Sequence, residues 1–216
     1  MRKNSFYYKQ PVISFMASEN GSAARRVIDA IDSGEIVADI GVVISNNLNA
    51  PIVRWCEKNG FPIQVISSTT NPLNEDKELC RVLKHINTDL VCLSGYRKKI
   101  GETMLNGFDK RILNIHPSLL PDYGGRGMYG DIIHAAVIKS GRNKTGISIH
   151  IVDENYDTGP IIVQKEIPIM KNDTVISLGN RVRNAEPALY IETVKKVLLG
   201  EWVLGKPGYK SETIWP

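Results

Sequence analysis

The sequence predicts an α/β fold: a Rossmann-like, mostly parallel twisted sheet with helices on both faces, C-terminal antiparallel strands and a long C-terminal helix. Three observations predict it. Up to about residue 100, short apolar runs alternate with segments whose apolar residues recur at helical spacing, the pattern of repeated strand–helix–strand units. Residues 145–152 then alternate small or polar with apolar residues and are followed, across an acidic loop, by another apolar run, which reads as an antiparallel pair. Val175, Leu178, Val182, Ala185 and Leu189 mark the inner face of a helix over about residues 174–199.

Taken in order, Val12-Ile13-Ser14-Phe15-Met16 reads as a buried strand and residues 17–22 as the turn after it. Ala24, Val27, Ile28 and Ile31 share one helical face, and Ser33-Gly34 closes that helix. Free N–H groups at the helix start, with its dipole, favour an anion, so Gly21 and Ser22 are candidate phosphate ligands. The same turn fits a plain capped helix with Ser22 as N-cap. Asp39–Ser45 is the next strand, residues 46–49 a polar turn and 50–59 a helix. Residues 61–66 form a third strand, and Leu79, Val82, Leu83 and Ile86 one face of a helix that begins near Asn74. Residues 89–94 are a fourth, apolar strand. Parallel sheets gather ligands at the carboxyl ends of their strands, so the Gly21 turn, the segment after Ser94 and the strand end at Asn114 are expected to face one crevice.

That last strand end carries the densest chemistry. In Asn114-Ile115-His116-Pro117, proline cannot donate to a ladder and stops the strand, so Asn114 and His116 leave it on one face. An amide donor can hold an oxygen that becomes anionic, and an imidazole that titrates near neutrality can carry a proton. A strand end with a satisfied core histidine fits the same two residues. Asp157 lies in the turn-rich loop of residues 153–160. From there it can reach His116, where a carboxylate orients an imidazole and favours its cation. Ser118 lacks the glycine-flanked elbow of a nucleophile and reads as structural. A glycine-rich loop at 124–130 leads into a helix bearing Ile133, Val137 and Ile138, on which His134 reads as packing or capping.

Asn114-Ile115-His116-Pro117-Ser118-Leu119-Leu120-Pro121, then His150, and Asp157 before Gly159-Pro160, resemble the folate-dependent formyltransferases over about residues 12–199. The resemblance implies the formyltransferase fold and formyl transfer from 10-formyltetrahydrofolate to the primary amine of a small phosphorylated substrate, in the branch that serves purine biosynthesis. It implies Asn114, His116 and Asp157 as catalytic residues, with His150 behind them. It places the substrate phosphate at Gly21, Ser22 and Ala23 and the ribose at Arg183 and Glu186, although by spacing alone the last two also fit a surface ion pair. Folate contacts are implied at Tyr96, Arg97, Lys98, Ile100, Asn114, Asp153 and Asp157. The chain departs from the family's Gly-Ser-Asn-Leu turn at Ala23 and Ala24, from its apolar folate loop at Arg97 and Lys99, and carries no arginine over residues 69–74. Other acceptors (an amino-sugar nucleotide, or water in a 10-formyltetrahydrofolate hydrolase) use related chemistry, and a folate-binding module without turnover is the reading from another class.

Composition agrees with this class. With 216 residues, 42% hydrophobic and 23% charged, the chain is an ordinary globular protein. It reads as one domain, with a lobe over 1–100 for phosphate and substrate, a lobe over 101–200 for catalysis and folate, and a tail over 201–216. Cys56, Cys80 and Cys92 sit in apolar patterns without metal-ligand spacing, so buried free thiols and no metal site are expected. No apolar run follows the basic N-terminal residues and none is long enough to span a bilayer, so a cytoplasmic location without membrane contact is expected. The net charge of +4 is spread out, which argues against nucleic acid and suits small anionic partners, an amine substrate and a folate. Monomer and homodimer both remain open at this point.

Overall fold

The structure is a computed structural model that describes residues 9–71 and 73–202. The N-terminal stretch read for export signals falls largely outside them, as do Tyr209 and Trp215 of the tail. One seven-stranded sheet organises the chain: β1 (Val12–Met16), β2 (Asp39–Ser45), β3 (Ile63–Val65), β4 (Leu90–Ser94), β5 (Ile112–His116), β6 (Lys144–Ile151) and β7 (Ile161–Pro168). The helices are α1 (Ser22–Asp32), α2 (Pro51–Asn59), α3 (Glu75–His85), α4 (Glu102–Gly107), α5 (Asp131–Lys139) and α6 (Val175–Leu198).

Spatial order is β3-β2-β1-β4-β5-β6-β7, with β1 to β5 parallel and β6 and β7 added antiparallel. Side chains of a strand alternate between faces, and the core divides accordingly. Ile13, Phe15, Leu90, Cys92, Leu113 and Ile115 join one apolar cluster with α1, α2, α5 and α6, whereas Met16, Val91, Leu93 and Ile112 join another with α3 and α4. Covered on both sides, β1 and β4 bury every residue. At the edge, β7 exposes Gln164, Lys165 and Glu166, polar groups that discourage pairing with another chain.

The chain runs outward from β1 to β3 and returns to β4 on the other side of β1, which creates a switch point where the two following loops diverge. Ser18 ties those loops together: its N–H donates to the Gly95 carbonyl (3.2 Å), and its hydroxyl accepts from the Arg97 N–H (2.9 Å).

Two local readings change. Ser22 is the first residue of α1, and Gly21 is the N-cap, at φ +57°, a left-handed conformation that glycine adopts without strain. A Cβ there would also strike Ile52. The long last helix runs through Pro187, which has no N–H for the carbonyl of Arg183 one turn back. Its inner face includes Tyr190, whose hydroxyl donates to the carbonyls of Leu93 and Leu113 (3.1 and 3.2 Å) and so crosses beneath β4 and β5.

Candidate active site

A cleft of about 460 Å³ opens at the carboxyl ends of β1, β4 and β5. β5 brings Asn114 and His116 to its floor, and the loop between β6 and β7 brings Asp157 over them. Asp157 sits at φ +58°, an uncommon backbone for a non-glycine residue, and a bound loop accounts for it. Gly159 lets that loop close, since a Cβ there would collide with the Ile151 carbonyl.

One carboxylate oxygen of Asp157 gathers three side chains. Asn114 Nδ2 donates to Oδ1 at 3.3 Å, while His116 Nδ1 and His150 Nε2 each lie 3.5 Å from that oxygen. The other oxygen accepts the Gly125 N–H at 2.9 Å. His150 Nδ1–H donates to the Ile151 carbonyl (2.9 Å), which leaves Nε2 to accept from Asn114 Nδ2 (3.0 Å) and fixes the Asn114 amide. His116 Nε2–H donates to the Tyr123 carbonyl (2.9 Å), so its Nδ1 lone pair faces Asp157. Both amide hydrogens of Asn114 are therefore engaged in the free protein, and the 3.3 Å contact is the weaker one to surrender to a ligand oxygen.

Burial decides the protonation of this cluster. His116 is 4% exposed, and desolvation lowers its pKa more than the Asp157 charge and the Tyr123 carbonyl raise it. Asp157 acts on His116 in the expected direction, toward the cation, but burial outweighs it, so the net shift in the free protein favours the neutral imidazole. Desolvation pushes Asp157 up, yet its polar surroundings, the Gly125 N–H among them, outweigh it, and the carboxyl ends below its ordinary range. Asp157 is ionised and His116 is poised, flanked by two acceptors, to take a proton on Nδ1.

The loop after β5 is held by Ser148 on β6. Its hydroxyl donates to the Ser118 carbonyl (2.6 Å) and accepts from the Leu120 N–H (2.9 Å) and Gln164 Nε2 (2.8 Å). Ser118 is fully buried and donates to the Asp122 carbonyl, a structural role.

Gly21, Ser22, Arg183 and Glu186 line the same cleft, as do Tyr96 and Arg97. Burial pushes the Glu186 carboxyl up to about 7, with Arg183 pulling the other way, and no described residue hydrogen-bonds it. Arg97 pairs with Glu19 (3.1 Å) and lies 4.6 Å over the Tyr129 ring, which links the rim to the glycine-rich loop. Four sequence candidates stand outside the cleft wall. Ala23 is packed inside α1, Lys98 is drawn to Glu75 (2.6 Å), Ile100 is buried with α3 and α4, and Asp153 caps the loop through Asn155 N–H and Thr158 Oγ1. In the other direction, His134 lines the cleft at 1% exposure, its Nδ1 without a partner among the described residues. The signal for it was the loop of residues 124–130, which delivers the first turn of α5 to the site.

Among the described residues no group of histidine, cysteine and acidic side chains is arranged to hold a metal ion, and no helix is long and apolar enough to cross a membrane.

Comparison with known proteins agrees with this geometry. Residues 12–194 match the family described as Formyl transferase. The chain is 36% identical over 201 residues to the chloroplastic phosphoribosylglycinamide formyltransferase of Vigna unguiculata, covering 91% of this chain and 64% of that protein. The Arabidopsis thaliana protein of the same name is also 36% identical, over 84% of this chain and 63% of its own length. The chain thus spans less than two thirds of these curated relatives. A solved phosphoribosylglycinamide formyltransferase from Bacillus Halodurans superposes with TM-score 0.80 at 30% identity, over 90% of this chain and all of that one. With a match that runs from β1 into α6 and takes in Asn114, His116 and Asp157, this chain belongs to the formyl transferase family.

Proposed function

We propose that this protein transfers a formyl group from 10-formyltetrahydrofolate to the amine of 5'-phosphoribosylglycinamide, a step of purine biosynthesis. One observation carries the reading: Asn114, His116 and Asp157, from a strand tip and a loop about forty residues away, converge on one carboxylate oxygen inside a cleft. Names of the similar plant and bacterial proteins support the same substrate.

The folate supplies a formyl carbon already activated on nitrogen, so no covalent acyl-enzyme is needed. The cleft suits a planar ring: Gly95, at φ +68°, has open space where a side chain would stand, and Tyr96 and Tyr156 lie beside it. When the amine adds to the formyl carbon, negative charge grows on the former carbonyl oxygen. Asn114 turns the N–H now 3.3 Å from Asp157 toward that oxygen. His116 takes on Nδ1 the proton that the adding amine sheds and becomes a second donor, its cation held between Asp157 and the Tyr123 carbonyl until that proton moves on. Asp157 then shuttles the amine proton toward the leaving nitrogen, directly or through water. At the far wall, Glu186 and Arg183 are placed for hydroxyl groups of a sugar.

A second reading, the same transfer to an amino-sugar nucleotide, draws on Ala23 and on the lack of arginine over residues 69–74. An absorbance assay with 10-formyl-dideazafolate and both amines separates them. Turnover with 5'-phosphoribosylglycinamide is expected; turnover with the amino sugar alone overturns the first reading, and turnover with neither overturns both.

A further inference from the structure

We infer that Arg25 holds the anionic end of the amine substrate, in a second chamber continuous with the reaction cleft; this rests on the formyl-transfer reading above and adds its specificity residue. The chamber is an open hollow of about 760 Å³ between α1, α2 and α6, and it shares Asn20, Ser22 and Arg183 with the cleft. A ligand whose amine lies near Asn114 can therefore extend past Ser22 into it. Ser22 and Arg25 stand at i and i+3 on α1, on one helical face.

Of the three arginines that line this chamber, Arg26 is paired with Asp29 and Arg183 lies 3.5 Å from Asp131, which leaves Arg25 as the one without a carboxylate partner among the described residues. Arg25, Arg26 and Arg183 line it against one carboxylate, Asp29. Asp29 is taken by Arg26 at 3.3 Å. Arg25 lies with its guanidinium carbon 5.2 Å over the Trp55 ring, and its Nε and Nη2 are buried without a hydrogen-bond partner among the described residues. Desolvation lowers its pKa, and the groups that oppose this are Cys56 and Asp29. Cys56 is itself pushed up to about 11 by burial, so it is a neutral thiol and no counter-ion. Two buried guanidinium nitrogens without an acceptor are costly on this half-buried side chain, and an oxyanion is the ligand class that repairs this, best a tetrahedral one that suits the fork of donors. At the first turn of α1, Ala23 offers no polar side chain, so the turn supplies backbone groups while Arg25 supplies the charge.

The test compares wild type with Arg25→Gln, using 10-formyl-dideazafolate as donor and 5'-phosphoribosylglycinamide or its dephosphorylated form as acceptor. Loss of one charge-assisted contact should raise KM for the phosphorylated amine about 10- to 100-fold and weaken inhibition by inorganic phosphate to the same degree. The donor KM and turnover of the dephosphorylated amine should not move. Arg25→Lys should recover part of the loss, and Arg81→Ala, which removes an exposed positive charge on α3, should behave as wild type. Unchanged KM and phosphate inhibition in Arg25→Gln overturn the inference while the formyl-transfer reading stands. A wild type that formylates no phosphorylated amine overturns the substrate reading itself. A measurement on unaltered protein guards against a misfolded variant: inorganic phosphate should perturb Trp55 fluorescence, a signal that Trp55→Phe removes. Phosphate inhibition without a Trp55 response places the anion elsewhere and overturns the inference.

Discussion

The two ends of the cleft are built on opposite principles. Around Asp157 the polar groups are tied to one another: Gly125 and Asn114 donate to it, His150 and Tyr123 fix the amide and the imidazole, and Ser148 holds the loop that follows. At the amine end, Glu186 is buried without a hydrogen bond from any described residue, and His134 and Arg25 keep buried nitrogens unpaired. A site that must stabilise a fleeting charge gains from dipoles fixed in advance, because reorganisation during reaction is what costs rate. A site that must recognise a polar ligand gains from groups that only the ligand satisfies, because an analogue lacking the matching group leaves them stranded.

The largest effect should come from dismantling the preorganised end. Asp157→Asn keeps the shape but removes the charge on which Asn114, His116 and His150 converge, and kcat should fall by about 10²–10³-fold with KM little changed. Turnover near wild type in steady-state assays would break the comparison at its strongest point. Asn114→Ala should act in the same direction, since it deletes the amide donor that the proposed mechanism turns from Asp157 toward the oxyanion.

Next comes the unsatisfied end. Burial raises the Glu186 pKa from 4.5 to about 7, so the folded protein favours the neutral carboxyl. The stability this gives is present below the unfolded value and is lost as pH rises through about 7, a loss of up to about 3 kcal/mol. Glu186→Gln should therefore lie above wild type in urea melts at pH 8 and converge with it near pH 4.5. If the two curves run parallel across that window, the carboxyl is not stranded and the contrast between the ends weakens.

A smaller loss is expected from Ser148→Ala. Removing its hydroxyl strands the Ser118 carbonyl and the Leu120 N–H in a buried place, at a cost of about 2 kcal/mol seen in thermal or urea unfolding. A matching fall in kcat/KM would show that the loop after β5 is part of the preorganised end.

Sequence alone carried the sheet and the reaction centre further than the substrate end, and the reason is physical. Strand alternation and the stop at Pro117 are local properties, so β5 and the shared face of Asn114 and His116 follow from neighbouring residues. Asp157 needed a loop from elsewhere, and its turn-rich surroundings together with the family resemblance supplied it. Ser148 and Tyr190 read as ordinary strand and helix residues, because their bonds reach carbonyls 30 and 77 or 97 positions away, which no local pattern encodes. His134 was set aside although the glycine-rich loop of residues 124–130 leads into its helix, because that loop does not by itself say which face of α5 meets the cleft. Protonation was the least legible property of all, since the burial that neutralises His116 is a sum over the whole fold.

That last point yields the finest test. Burial depresses the His116 pKa, and the Asp157 charge is the leading influence that opposes it. Asp157→Asn should therefore move the His116 titration to still lower pH, a shift readable from its ring nitrogens by NMR. In the folded wild type the depressed value means that His116 contributes stability above its ordinary pKa, and this is lost as pH falls and the buried ring must charge. The variant should deepen that acid sensitivity. An upward shift would mean that the bond His116 Nε2–H donates to the Tyr123 carbonyl, and not the carboxylate, sets the imidazole's charge, and the proton would then have to be placed on Asp157 before the amine arrives.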